Sequence, residues 1–268
     1  MNEHKKYGTG LELILNACEG CLQIAITDDE EPICFEEWFA PNKATEILAP
    51  ALKAACDRAR ISPRAFRRIA CFAGPGSFTG IRLALATASG LMRTSRAQLA
   101  GLNYLQGLAT AAAIWRGLLY PSPIHVITRA RRDLVQWQEF ISYGPQIPAQ
   151  PKFDIRLVSP LEAREAFSLA PCHVCGSALS AYPEIFNKVG GQTTLMPELV
   201  RPSLESLRLL ARHGDYFPKD IEPLYVRSCD AEENIGALAA KRGSNAEETR
   251  EKMRFLLSRD PLESDFLD

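Results

Sequence analysis

The chain has 268 residues, with 31 basic and 32 acidic side chains and a formal net charge of −1; 24% of residues are charged and 46% hydrophobic. That composition excludes wholesale disorder, and the length suffices to bury a sizeable core in one large domain or two medium ones. The balanced charge argues against a dedicated nucleic-acid or membrane-surface binder, which carries a basic excess.

The first apolar stretch, Leu11 to Leu15, is short and carries Glu12, unlike the core of a signal peptide, so a cytoplasmic protein is expected. Leu11 to Ala17 reads as a strand, Cys21 to Thr27 as a second, and DDEEP as the turn before a third over Ile33 to Phe39. Ala44 to Ala59 has a helical period, with Ile47, Leu48, Ala51, Leu52 and Ala55 on one stripe; Pro50 should kink this helix or delay its start. RRIACFA is then a short buried strand that runs into GPGSFTG at residues 74 to 80.

Gly74 and Gly76 allow backbone angles closed to other residues, and Ser77 is placed to cap the next helix, IRLALATASGL. A strand, glycine turn and helix in this order can offer free N–H groups to a phosphate, which makes Gly74, Gly76 and Ser77 the candidates for cofactor contact. The turn fails the P-loop pattern, since Thr79 stands where the second glycine belongs and no lysine follows. Gly80, Ala84 and Ala88 give the helix a face almost without side chains, which suits close packing either on the protein's own sheet or on a partner helix. Ile81, Leu85 and Met92 flank it.

Ala97 to Trp115 has no charge and approaches the length of a membrane span, but its Gln98, Asn103, Gln106 and two glycines favour a buried helix of a soluble protein. PSP near Pro121 opens a second half: strands over Ile124 to Thr128 and Leu134 to Ile141 joined at RARRD, and a third over Phe153 to Val158. A helix follows, capped by Ser159 with Pro160 at its first position and Glu162 completing a capping box. Strand HVCG, a helix around Ala178, strand TTLM and a helix from Ser203 to Arg212 complete this half. Residues 228 to 268 hold ten acidic and six basic side chains and read as a charged, partly helical tail, with helix expected between Asn234 and Leu257. The expected domains are thus 1–118, 119–227 and 228–268.

Eight cysteines without an export signal suggest reduced thiols. The Cys18/Cys21 and Cys172/Cys175 pairs have zinc-site spacing, but both sit in runs that read as strands, where such positions point to opposite faces.

GPGSFTGIRLALATASGL resembles the signature of the TsaB (YeaZ) family, a branch of the ASKHA superfamily that includes sugar kinases, Hsp70 and actin. The paired N-terminal strands, the helix with Thr45 and Pro50, and EPLYVR at residues 222 to 227 agree with it. The resemblance implies an α/β fold of two actin-like (ASKHA, ribonuclease H-like) lobes, with mixed sheets flanked by helices, plus the C-terminal tail. It also implies a non-catalytic scaffold in the synthesis of N6-threonylcarbamoyladenosine at tRNA position 37. The implied partners are a TsaD-like catalytic subunit and a TsaE-like ATPase, with tRNA met through the complex, a homodimer when the chain is alone, and no membrane. No cofactor is expected here, ATP and metal belonging to the TsaD-like partner. The implied interface is Ile47, Leu48, Ala51, Leu52, Gly80, Ile81, Ala84, Leu85, Ala88 and Met92, so Ala84→Arg is expected to abolish the heterodimer without unfolding the chain.

An active superfamily phosphotransferase needs a carboxylate at the end of its first strand. Where the family has I-D-T-S this chain has Leu15-Asn16-Ala17-Cys18, and where it has D-A-R this chain has Arg129-Ala130-Arg131, so both candidate acids are missing. His4, His125, His173 and His213 are too far apart for the H-x-x-x-H metal pair of TsaD-like catalysis. Ser77 departs from the G-x-S-x-G elbow of a hydrolase. The alternatives to a scaffold are an ATP-binding phosphotransferase or ATPase and a metallo- or glycoprotease-like hydrolase. Arg58, Arg60, Arg64, Arg67 and Arg68, and Arg129, Arg131 and Arg132, are basic clusters that read as solvated surface, because no aromatic residues interleave with them.

Overall fold

A computed structural model describes residues 10–39, 41, 43–130, 133–167, 169–224 and 226. The chain divides into two units, Met1–Val226 and Arg227–Asp268. The second unit, with the helix expected over Asn234 to Leu257, lies outside the described residues.

The first sheet contains β1 (Leu11–Asn16), β2 (Cys21–Asp28), β3 (Glu31–Phe39), β4 (Arg68–Gly74) and β5 (Gln98–Asn103), in the order β3-β2-β1-β4-β5. β1, β2 and β3 form the expected antiparallel meander, while β4 and β5 run parallel to β1. Every residue of β1 is buried, as in a strand covered on both faces. One cover is the pair α1 (Ala44–Ala59) and α2 (Phe78–Ser95), which pack against each other; α2 lies along β4. α1 begins at Ala44 with Pro50 inside it, so the proline does not delay its start.

The uncharged run from Ala97 to Trp115 is not one helix. It forms β5 and then α3 (Tyr104–Arg116), and the break has a local cause. The side chain of Asn103 accepts hydrogen bonds from the N–H groups of Leu105 and Gln106 at 2.8 and 3.3 Å, a helix N-cap that leaves the preceding residues free to pair with β4.

The second sheet is built from β6 (Ser122–Arg129), β7 (Val135–Ser142), β8 (Gln150–Pro151), β9 (Arg156–Val158), β10 (Cys172–Cys175) and β11 (Thr193–Met196). Its order is β11-β10-β6-β7-β8, with β9 also paired to β7. The strand expected from Phe153 is confined to Arg156–Val158. α4 (Pro160–Phe167) is capped by Ser159, whose hydroxyl accepts from the N–H of Glu162 at 3.2 Å. Two short helices, α5 (Ala178–Ala181) and α6 (Pro183–Phe186), and α7 (Leu204–Arg212) complete the unit. α3 packs on strands of both sheets and on α7, and its Leu105, Leu108, Ala109 and Ala112 are fully buried. The outcome is a mixed α/β fold of two mixed sheets flanked by helices. Among the described residues no helix is long and apolar enough to cross a membrane.

Candidate functional site

β4 delivers the GPGSFTG turn to the edge of a shallow cleft of about 90 Å³, lined among others by Ala17, Gly20, Cys21, Thr45, Ser77 and Thr79. Ser77 is the expected cap: its hydroxyl accepts from the N–H of Gly80 at 3.3 Å. Gly74 has φ +123°, and a side chain there would meet the carbonyl oxygen of Leu224 at 2.9 Å, while the Leu224 N–H donates to Ala73 at 2.7 Å. The closing EPLYVR segment therefore lies against the glycine turn, although its Tyr225 and Arg227 fall outside the described residues.

The small-residue ridge of α2 is not an outer surface. A Cβ on Gly80 would sit 2.2 Å from the carbonyl oxygen of Ala17, and Ala84 and Ala88 are completely buried. Ile81, Leu85, Leu48, Ala51 and Leu52 share that core, and Ile47 and Met92 are half-buried against it. The face assigned to a partner is covered by the chain's own first sheet, because a stripe without side chains lets a helix lie flat on a sheet as readily as on another helix. The outer faces of the same helices carry Thr45, Glu46, Ala49 and Lys53 on α1, and Thr79, Arg82, Ala86 and Gly90 on α2.

At the end of β1, where the resemblance implied an acid, stands Asn16, whose amide is hydrogen-bonded through both its oxygen and its nitrogen. Oδ1 accepts from the Cys18 N–H at 3.0 Å, and Nδ2 donates to Gln23 Oε1 at 2.8 Å. Gln23 in turn donates to Glu37 at 2.7 Å and to the Pro202 carbonyl at 2.9 Å. The position therefore offers a neutral amide, which cannot accept a proton as a carboxylate would, and its oxygen and nitrogen already hold protein partners.

Neither position named in the sequence holds an acid, but the turn after β1 carries a carboxylate that sequence reasoning passed over, Glu19. Cys21 N–H bonds back to the Cys18 carbonyl at 3.0 Å, so Glu19 and Gly20 form a two-residue hairpin loop with φ of +48° and +73°. Such loops favour Asn or Asp before Gly, and a glutamate held left-handed costs energy that other contacts must offset. Here the contact is Ser177, just after β10, whose hydroxyl donates to Glu19 Oε1 at 2.7 Å. Oε2 is buried with no hydrogen-bond partner. Burial pushes the carboxyl up to about 7, against a smaller opposing pull from Ser177 and the Arg129 backbone. The residue as a whole is half-buried, but its carboxylate is inside. The sequence carries a signal for it: an acid before glycine in a two-residue turn.

Cys18 lies in this turn and not in a strand, while Cys172 and Cys175 are in β10. Burial raises all of these thiols, and Cys21 reaches about 12. Among the described residues no three His, Cys, Asp or Glu side chains are grouped to hold a metal ion. His125 is buried, accepting from Trp137 Nε1 at 3.1 Å, and desolvation pushes its pKa down. In the first arginine cluster, Arg58 pairs with Glu36 and Arg68 with buried Glu12, leaving Arg60, Arg64 and Arg67 at the surface end of α1 and its following turn. Arg131 and Arg132 of the second cluster lie outside the described residues.

Residues 39–154 match the family model of TsaD, tRNA N6-adenosine threonylcarbamoyltransferase, a segment that contains α1, the glycine turn and α2. No curated protein matches the chain by sequence. Among solved structures, YeaZ from Pseudomonas aeruginosa is similar with a TM-score of 0.68 and 20% identity, over 81% of this chain and 100% of that one. A second structure from Pseudomonas aeruginosa, described as an uncharacterized protein with similarity to peptidase YEAZ, matches with the same TM-score, identity and coverage. A Bacteroides thetaiotaomicron protein with an actin-like ATPase fold and unknown function matches at a TM-score of 0.41 and 12% identity, over 78% of this chain and 98% of that one. Residues 39–154 are thus similar to the TsaD family model, and the fold is similar to that of YeaZ.

Proposed function

We propose that this chain is the TsaB-like, non-catalytic scaffold subunit of a complex that makes N6-threonylcarbamoyladenosine in tRNA. It pairs with a TsaD-like catalytic subunit, and ATP and metal belong to that partner. The TsaD-family segment and the YeaZ fold support the pairing. The observation that carries the non-catalytic half is Asn16: the position that would hold a cation is an amide, buried and bonded at both ends. Since the inner ridge of α2 is covered, the partner surface moves to the outer faces of α1 and α2, centred on Ala86 and Gly90. A hydrolase reading gains nothing from Ser77, whose oxygen caps α2 and which has no histidine or acid among the described residues lining the cleft beside it.

The test is co-purification of the full chain with a tagged TsaD-like subunit, followed by size-exclusion chromatography. A stable complex is expected, lost in Ala86→Arg while the melting temperature of the free chain is unchanged, because Ala86 is exposed. Failure to co-purify would remove the scaffold assignment. Titration of ATP with magnesium into the chain alone should give no appreciable heat, and turnover there would restore the enzyme reading.

A further inference from the structure

The β1–β2 turn belongs to the first sheet, whereas Arg129 ends β6 and Ser177 follows β10, both in the second sheet. Glu19 joins them. Its Oε1 accepts the Ser177 hydroxyl at 2.7 Å, and that hydroxyl oxygen accepts the Arg129 N–H at 3.0 Å. On the other side the turn is packed by Gly76 of the glycine loop, from which a side chain would touch Cys18 and the Glu19 nitrogen at 2.9 and 3.1 Å. The contact is therefore a tie between the sheets, made by one carboxyl group in an enclosed space.

That group is poorly suited to carry a charge. Oε2 is buried without a hydrogen bond, and the described titratable groups that face it are Cys18 on its own turn and Tyr104 on α3. Both are themselves held neutral by burial. Arg129 offers its backbone N–H, while the residue is exposed. An ionised carboxylate in such a place leaves one charged oxygen desolvated and unpaired, a cost that the neutral, protonated form greatly reduces.

We propose that Glu19 is a proton-dependent latch between the two sheets, closed when its carboxyl is protonated and released toward solvent when it ionises. Release frees the β1–β2 turn, the end of β6 and the loop after β10 together, because Ser177 is shared among them. With the carboxyl near 7 when closed and at its ordinary 4.5 when open, the opening equilibrium should grow by about 30-fold between pH 5.5 and 8.5.

Amide hydrogen exchange of the full chain, corrected for the intrinsic pH dependence of exchange, reads this directly. Residues 18–20, 128–130 and 176–178 should lose protection together as pH rises, while the centre of β1 does not. Glu19→Gln keeps the shape and removes the ionisation, so its exchange should be flat with pH and resemble the wild type at low pH. Ser177→Ala should raise opening at every pH and leave the pH dependence in place. Wild-type protection that is constant across this range would overturn the latch, as would a Glu19→Gln chain that still opens with pH. Should Glu19→Gln not fold, the carbon-13 titration of the Glu19 carboxyl decides: a midpoint matching the loss of protection supports the latch, and one near 4.5 refutes it. None of these outcomes depends on a partner subunit.

Discussion

A methyl group on Gly80, at the inner face of α2, would lie 2.2 Å from the Ala17 carbonyl oxygen, whereas one on Gly90, ten residues on at the outer face, would have nothing within 4 Å. The same residue type in one helix thus answers two different demands. At Gly80 the missing side chain lets the helix rest on the end of β1, and Ala84 and Ala88 continue that contact along the buried face. At Gly90 it leaves open space on the face that Ala86 shares, one that the described residues do not cover.

The largest effect should come from forcing charge into the inner face. Ala84 is completely buried, so Ala84→Arg places an unpaired cation in the core, and a loss beyond about 4 kcal/mol is expected. The variant should be without a cooperative thermal transition, which reverses the expectation that it would unfold nothing and break only a heterodimer. A stable, folded Ala84→Arg chain would return the ridge to the surface.

The turn that covers Gly80 also carries Glu19, which makes the support of the inner face depend on pH. Its carboxyl is raised from 4.5 to about 7 by burial, so the folded chain binds the proton more tightly than the unfolded chain. Stability from this group is therefore complete below pH 4.5 and lost as pH rises to 7, by about 3 kcal/mol at most. Glu19→Gln should match the wild type in urea unfolding near pH 4 and exceed it at pH 8. Equal stability at pH 8 would mean that the carboxyl is solvated and the turn open at every pH, so that no closed form is lost.

Much of this arrangement could be read from residue order, and the misses share one cause. The meander, the span of α1, the Ser77 and Ser159 caps and the glycine turn are local features, set by period, capping and turn chemistry within a few residues. The division of Ala97 to Trp115 was legible in principle from Asn103, but an uncharged run masks the change of period. Which body covers the α2 ridge was not legible, since Ala17 and Gly80 meet only through the sheet. Nor was the burial of Glu19, which depends on Ser177 from the other sheet, 158 positions away.

A smaller test stays on the inner face. Gly80→Ala must push apart α2 and the end of β1, because the atom the new methyl meets is a backbone carbonyl oxygen that has no rotamer to escape into. A loss of about 2 kcal/mol is expected in urea unfolding, within the range for overpacking a filled core.

The smallest effect should have the opposite sign. Gly90 is inside α2, its position is exposed, and no positive φ requires glycine there. Gly90→Ala should therefore stabilise the free chain by about 0.5–1 kcal/mol, the helix-propensity difference, because the new methyl meets only solvent. If a helix of a partner lies across this face, the same methyl should weaken the complex, so one substitution raises the melting temperature of the chain and lowers its affinity. Stabilisation without any loss of affinity would place the partner elsewhere and leave Gly90 as a residue that neither the fold nor the proposed interface needs.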